Sequence, residues 1–309
     1  MDDNDFTQAR ERFTAALQLC RKHQFHANTS IILGYLGRLS LQTGAADAAL
    51  RYFQEALQAH ERAGGAYFRE ELVEGLGAVA AMQGDYAKAQ HYYEQALRFC
   101  RERSGASDVA HALVQLGELA RKRGDYAAAH RDLAEALALH EGVGETRGLA
   151  VAYHRLGLLA QSENDLVVAE QHYNTSLQLF TALAAPLGQA QARQGLGEIA
   201  QAVGDHDRAD DHLQRALRLA LELDAQPLIL ALLVSLADLW LVTGRLVDGC
   251  VLLLLADQQA TVAYETRTKV YALLAYQREN APHCVAQAQQ QIDGKPTLSE
   301  ILTLVHLTP

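Results

Sequence analysis

Residues 116–137 read LGELARKRGDYAAAHRDLAEAL, and this stretch decides the fold because its spacing returns along the whole chain. Leu-Gly or Leu-Ala pairs stand at Leu36, Leu76, Leu116, Leu156, Leu196 and Leu236, an unbroken interval of 40 residues. A fixed period without insertions marks one structural unit repeated in tandem. Gly44, Gly84, Gly124, Gly204 and Gly244 follow eight residues after their leucines, with Asn164 in the remaining slot. Gly and Asn both accept the left-handed conformation that ends a helix, so each position reads as a helix stop. Small residues recur at Ala49, Ala89, Ala129, Ala169, Ala209 and Gly249, and bulky ones at Phe53, Tyr93, Leu133, Tyr173, Leu213 and Leu253.

One unit reads as two helices. In residues 71–100, ELVEGLGAVAAMQGDYAKAQHYYEQALRFC, apolar side chains fall at helical spacing on both sides of Gly84, and Asp85 stands where it can cap the second helix. Gly77 and its equivalents lie in mid-helix, where glycine costs about 1 kcal/mol relative to Ala. A glycine repeated there implies helices that cross too closely for a side chain.

Leu116, Gly117, Ala120, Gly124, Asp125, Tyr126, Ala129, Leu133 and Ala136 match the signature of the tetratricopeptide repeat, which the chain resembles over six units. The resemblance implies an all-α fold, an α-solenoid in which helical hairpins stack into a right-handed superhelix. Six units of 40 residues cover 27–259, residues 1–26 resemble the second helix of a preceding unit, and 260–309 form a C-terminal helical cap. Phe6, Ala9, Phe13 and Ala16 are in phase with the later second helices. Without a hairpin partner, Phe6 and Phe13 are expected to be partly uncovered and to favour self-association. The usual repeat has 34 residues, so the extra six lengthen both helices.

Composition narrows the function. The chain has 309 residues and a formal charge of −10, and its densest basic stretches fall at helix ends, which argues against a nucleic-acid surface. No run approaches the ~20 apolar residues of a membrane span, and the acidic start lacks the character of a signal peptide, so the expected location is cytoplasmic. Cys20, Cys100, Cys250 and Cys284 show no CxxC spacing and read as reduced, buried thiols. His206, Asp207, Asp210 and Asp211 have metal-ligand spacing, but acidic residues in a first helical turn are favoured by the helix dipole alone. The thirteen histidines read mostly as outer-face residues without a nucleophile at matching spacing. No catalytic residue, cofactor or metal is expected, and the chain is not read as an enzyme.

What remains is a binding surface. In hairpin solenoids the first helix of each unit lines the concave side, a groove for a peptide or a partner helix. Positions spaced 3, 4 and 3 along that helix face one way. The contact residues expected on this basis are Arg38, Glu74, His111, Glu118, Arg121, His154, Gln161, Gln191, Gln194, Glu198 and Gln201. Similar positions bind ligands in tetratricopeptide proteins. Here the face is rich in Gln and Glu, with Arg38 and Arg121 isolated, rather than carrying a paired basic clamp.

The last sixth of the chain leaves the period. Trp240 stands in a slot held elsewhere by Ala or Ser and is expected to seat a different cap. Beyond it, helices are expected around Tyr264 to Arg278, from Pro282, and from a capping Thr297 with Glu300 three residues on. This tail, and the helix-opening phrase GETRGLAVAYHRLGLLA at 144–160, resemble the sensor regions of bacterial NB-ARC/STAND-type signal-transduction ATPases and LuxR-type transcriptional regulators. The resemblance implies a ligand-sensing arm whose ATPase and effector domains belong to a longer parent chain. A stand-alone interaction scaffold is the alternative.

Overall fold

The computed structural model describes residues 4–64, 68–103, 105–258 and 264–293. The expected helix capped by Thr297 and the side chain of Phe6 lie outside the described residues. The described residues form helices and no strand. The chain divides into two compact units, Met1–Gly188 and Gln189–Pro309.

The first unit holds α1 (Asn4–Lys22) and four hairpins: α2 (His26–Gln42) with α3 (Ala46–Arg62), α4 (Arg69–Met82) with α5 (Tyr86–Arg103), α6 (Ala106–Lys122) with α7 (Tyr126–Val143), and α8 (Thr146–Ser162) with α9 (Leu166–Ala182). The boundary falls within α10 (Pro186–Ala202). The second unit holds the rest of that helix, then α11 (His206–Glu222), α12 (Gln226–Val242), α13 (Leu246–Asp257), α14 (Tyr264–Asn280) and α15 (Pro282–Ile292).

Inside each hairpin a bulky residue of the second helix sits on a glycine of the first. A methyl group on Gly37 would stand 2.8 Å from the Phe53 ring, one on Gly77 2.6 Å from Tyr93, and one on Gly157 2.7 Å from Tyr173. Gly117 and Gly197 meet Leu133 and Leu213 in the same way, each at 2.7 Å. The recurring small residues Ala49, Ala89, Ala129, Ala169 and Ala209 are completely buried beside these contacts. A bulky side chain seated on bare backbone thus explains the mid-helix glycines.

The hairpin turns follow the expected chemistry. Gly44, Gly84, Gly124, Asn164, Gly204 and Gly244 all have positive φ. The Asp85, Asp125, Asp165 and Asp205 carboxylates each accept from the backbone N–H three residues on, at 3.1–3.2 Å. The turns between hairpins also carry a left-handed residue, at Gln24, Gly64, Gly144, Ala184 and Asp224. Only two of these are glycine, so this second stop was not legible from composition.

In the second unit Trp240 is buried against α11 and the turn before α13. Its ring is 2 % exposed, its indole N–H donates to Asp210 at 3.3 Å, and the Arg245 guanidinium lies 3.7 Å over its face. Helix α13 is buried from Gly249 to Ala256 because α12, α14 and α15 all pack on it.

Two glycines on helices make opposite predictions. Gly77→Ala should push against the Tyr93 ring and destabilise the chain by about 1–3 kcal/mol. Gly142, in α7, has open space around it, so Gly142→Ala should stabilise by about 1 kcal/mol through helix propensity. Urea unfolding of both variants measures the two signs.

Candidate partner-binding site

The first helices of successive hairpins carry a ladder of polar contacts. From α4 to α6, the Gln115 amide donates to Glu74 at 3.1 Å. Within α6, Arg121 grips the Glu118 carboxylate with two N–H groups, at 2.9 and 3.0 Å, and its third nitrogen donates to Ser162 of α8 at 3.0 Å. Arg155 of α8 approaches Glu118 to 3.9 Å, and Lys122 to 3.8 Å. In the second unit, Gln194 donates to both Glu198 and Ser235, and Ser235 donates to Glu198 at 2.7 Å.

Glu118 is the electrostatic centre of the first unit. Burial alone would raise its pKa, since the residue is only 9 % exposed, but Arg155, Arg121 and Lys122 outweigh that cost and hold the carboxyl at about 2. Arg121 is therefore not the isolated cation that its own helix suggests. Besides Glu118 of its own helix it meets Ser162 of the next repeat, and Arg155 of that repeat joins it at Glu118.

At the start of α4 the balance reverses. Burial, then Glu70, Asp108 and Glu74, push Glu71 up to about 7, and its buried Oε2 has no hydrogen-bond partner among the described residues. Arg155 Nε is likewise buried without an acceptor.

The remaining expected contacts are distributed along the same helices. Arg38 and His111 are exposed, while Gln191 and Gln201 are half-buried. His111 packs edge-on against His140, with ring centres 6.0 Å apart, and His140 bonds to Glu145 at 3.0 Å. His154 is buried beside Tyr173, whose hydroxyl donates to Gln161 at 2.7 Å. His60, His140 and His154 are all buried, so these three do not lie on outer faces.

Gln115, Arg155, Ser162 and Ser235 were missed by the single-helix stripe. Their signal is a separation of 41 or 37 residues, one repeat plus one or minus three, which brings side chains of adjacent first helices together.

This architecture defines a hairpin-repeat interaction solenoid. The tetratricopeptide repeat profile matches residues 29–66, 70–142 and 148–222, more than half of the chain, and the chain belongs to that family. No curated protein matches it by sequence. Among solved structures it is similar to a Rap protein complexed with competence and sporulation factor, at 16 % identity and a TM-score of 0.61, over 91 % of this chain and 73 % of that one. The Cut9–Hcn1 hetero-tetramer of the APC/C gives 17 % identity and 0.57, over 87 % of this chain and 46 % of that one. A STAND signal-transduction ATPase with a tetratricopeptide repeat sensor, from Pyrococcus horikoshii, gives 13 % and 0.54, over 96 % and 42 %. Such repeats form protein–protein interaction scaffolds that are typically non-catalytic. No helix among the described residues is long and apolar enough to cross a membrane.

Because folding holds Glu118 below its ordinary value of 4.5, its contribution to stability is present above about pH 4.5 and is lost as pH falls toward 2. Glu118→Gln leaves three cations facing a neutral amide and should cost about 3 kcal/mol at pH 7. Chemical unfolding at pH 7 and pH 3 should show this penalty shrinking in acid.

Proposed function

We propose that the first-helix faces bind a protein or peptide segment, and that the chain is the cytoplasmic sensing arm of a larger STAND-type ATPase or transcriptional regulator. The observation that carries the binding reading is the pair of orphan groups in the polar ladder. Arg155 Nε is a buried donor without an acceptor, and Glu71 Oε2 a buried acceptor without a donor. Unpaired buried groups cost free energy, and an extended backbone supplies both a carbonyl and an N–H. Glu118, Arg121, His154, Gln194 and Glu198 are the proposed central contact set, with Arg38, Glu74, His111, Gln161, Gln191 and Gln201 around them. The sensing role is supported by the likeness of the 144–160 phrase and of the tail to regulator sequences.

Capture from native cells tests the binding face. Arg121→Glu and Gln194→Ala should each lose the specific partner, whereas a reversal at exposed Arg98 of α5 should retain it. Retention by both inner-face variants, with loss at Arg98, would move the site to the outer helices. A phosphate-binding ATPase encoded in the same parent chain would support the sensing role, and a free-standing reading frame would favour the scaffold.

Self-association through the half repeat is proposed as well. Phe13 is half-buried and stacks on Tyr35 with ring centres 5.5 Å apart, while Leu19 and Phe25 nearby are 60 % and 57 % exposed. Light scattering of the parent chain should show association that Phe13→Glu weakens; an unchanged monomer in both would contradict it.

A further inference from the structure

The end of each second helix holds one repeat slot, occupied in turn by Cys20, His60, Cys100, His140, Phe180 and Ala220, and every one of these side chains is buried. Two of them do the same packing job. The His140 ring sits on Gly148 of α8, and the Phe180 ring sits on Gly188 at the start of α10, so a methyl group on either glycine would collide with the ring. Around Phe180 the joint is apolar, since the ring shares a cluster with Ala150, Ala185 and the partly buried Val151. One repeat earlier Glu145 stands in place of Ala185, and His111 in place of Val151. A joint that hydrocarbon can build is therefore titratable at this one place.

The contacts around His140 tie three helices together. Its ring is 1 % exposed, its Nδ1–H donates to the Glu145 carboxylate at 3.0 Å, and the His111 ring of α6 stands edge-on with ring centres 6.0 Å apart. Ser107, in the first turn of α6, donates its hydroxyl to the same carboxylate. The backbone follows the side chains: the Glu145 N–H donates to the His140 carbonyl at 3.0 Å, and the Glu145 carbonyl accepts from Leu149 of α8 at 3.0 Å. Two titratable groups face His140, Glu145 from the turn into α8 and His111 from α6. Burial holds the His140 imidazole below its ordinary 6.5 against the attraction of Glu145, and His111 pushes the same way. Burial would raise the Glu145 carboxyl, but Ser107, His140 and His111 hold it below 4.5, so it stays ionised in mild acid.

We propose that the α7–α8 joint is an acid-opened hinge, in which a proton on His140 loosens the third hairpin from the fourth while the apolar joint at Phe180 stays closed. The enclosed ring accepts that proton poorly, whereas an open joint lets water solvate the imidazolium. A closed form that lowers the value of a base binds fewer protons than the open form, so closure weakens as pH falls below 6.5. The contribution of Glu145 has the same sign but is lost only below 4.5, which leaves the interval between to His140. Glu71, His172 and His212 also have displaced values, so the effect is read at the joint itself rather than in global stability.

Amide hydrogen exchange of the full chain at pH 7.5 and pH 5, expressed as protection relative to the unfolded rate at each pH, tests the hinge. The Glu145 amide should lose protection by about threefold or more in acid, whereas the Ala185 amide, bonded in the same way to the Phe180 carbonyl at 2.9 Å, should change by less. His140→Phe copies the Phe180 joint and should abolish the acid loss at Glu145. The comparison of the two amides needs only the parent chain, so it holds even if the variant folds poorly. Unchanged protection at Glu145, an equal loss at Ala185, or an acid loss that persists in folded His140→Phe would overturn the proposal.

Discussion

The contact between a bulky residue of each second helix and a glycine of each first helix is the constraint on which the structure depends. Phe53, Tyr93, Leu133, Tyr173 and Leu213 each occupy space that any side chain on the opposing glycine would fill. The helices of a hairpin are thereby held at one separation, five times over. Glycine in mid-helix weakens the isolated helix, so the hairpin is stable only as a packed pair. Each hairpin in turn buries its other faces on its neighbours, which is why the unit is repeated rather than used once.

The same geometry creates the polar ladder. Because successive first helices lie one repeat apart with little drift, a residue meets partners 41 or 37 positions away, and Gln115–Glu74, Arg121–Ser162 and Gln194–Ser235 are three instances of one rule. These bonds fix the rotamers of long side chains that would otherwise lose entropy on binding. Glu118 shows what this does to charge: a buried carboxylate is tolerated because Arg155, Arg121 and Lys122 converge on it from two helices. These contacts hold the side chains of the face in a fixed arrangement.

The period, the turn glycines, the aspartate caps and the glycine contacts were all legible in the sequence, since each is a local requirement that forces a residue type. The turns between hairpins were not. Ala184 and Asp224 adopt left-handed φ values of 46° although nothing in their type demands it, because the packed helices on either side impose the turn. The candidate site was legible in half. A stripe on one helix finds Glu118 and Arg121 but omits Arg155 and Ser162, which enter from the next repeat.

A double-mutant cycle on Gly157 and Tyr173 tests the central contact most directly. With Tyr173 present, Gly157→Ala should destabilise the chain; in a Tyr173→Ala background, where the ring no longer fills the space, the same change should stabilise it by about 1 kcal/mol through helix propensity. Such a reversal of sign is the predicted result. An equal cost of Gly157→Ala in both backgrounds would show that the glycine is not there for the ring, and would contradict the account.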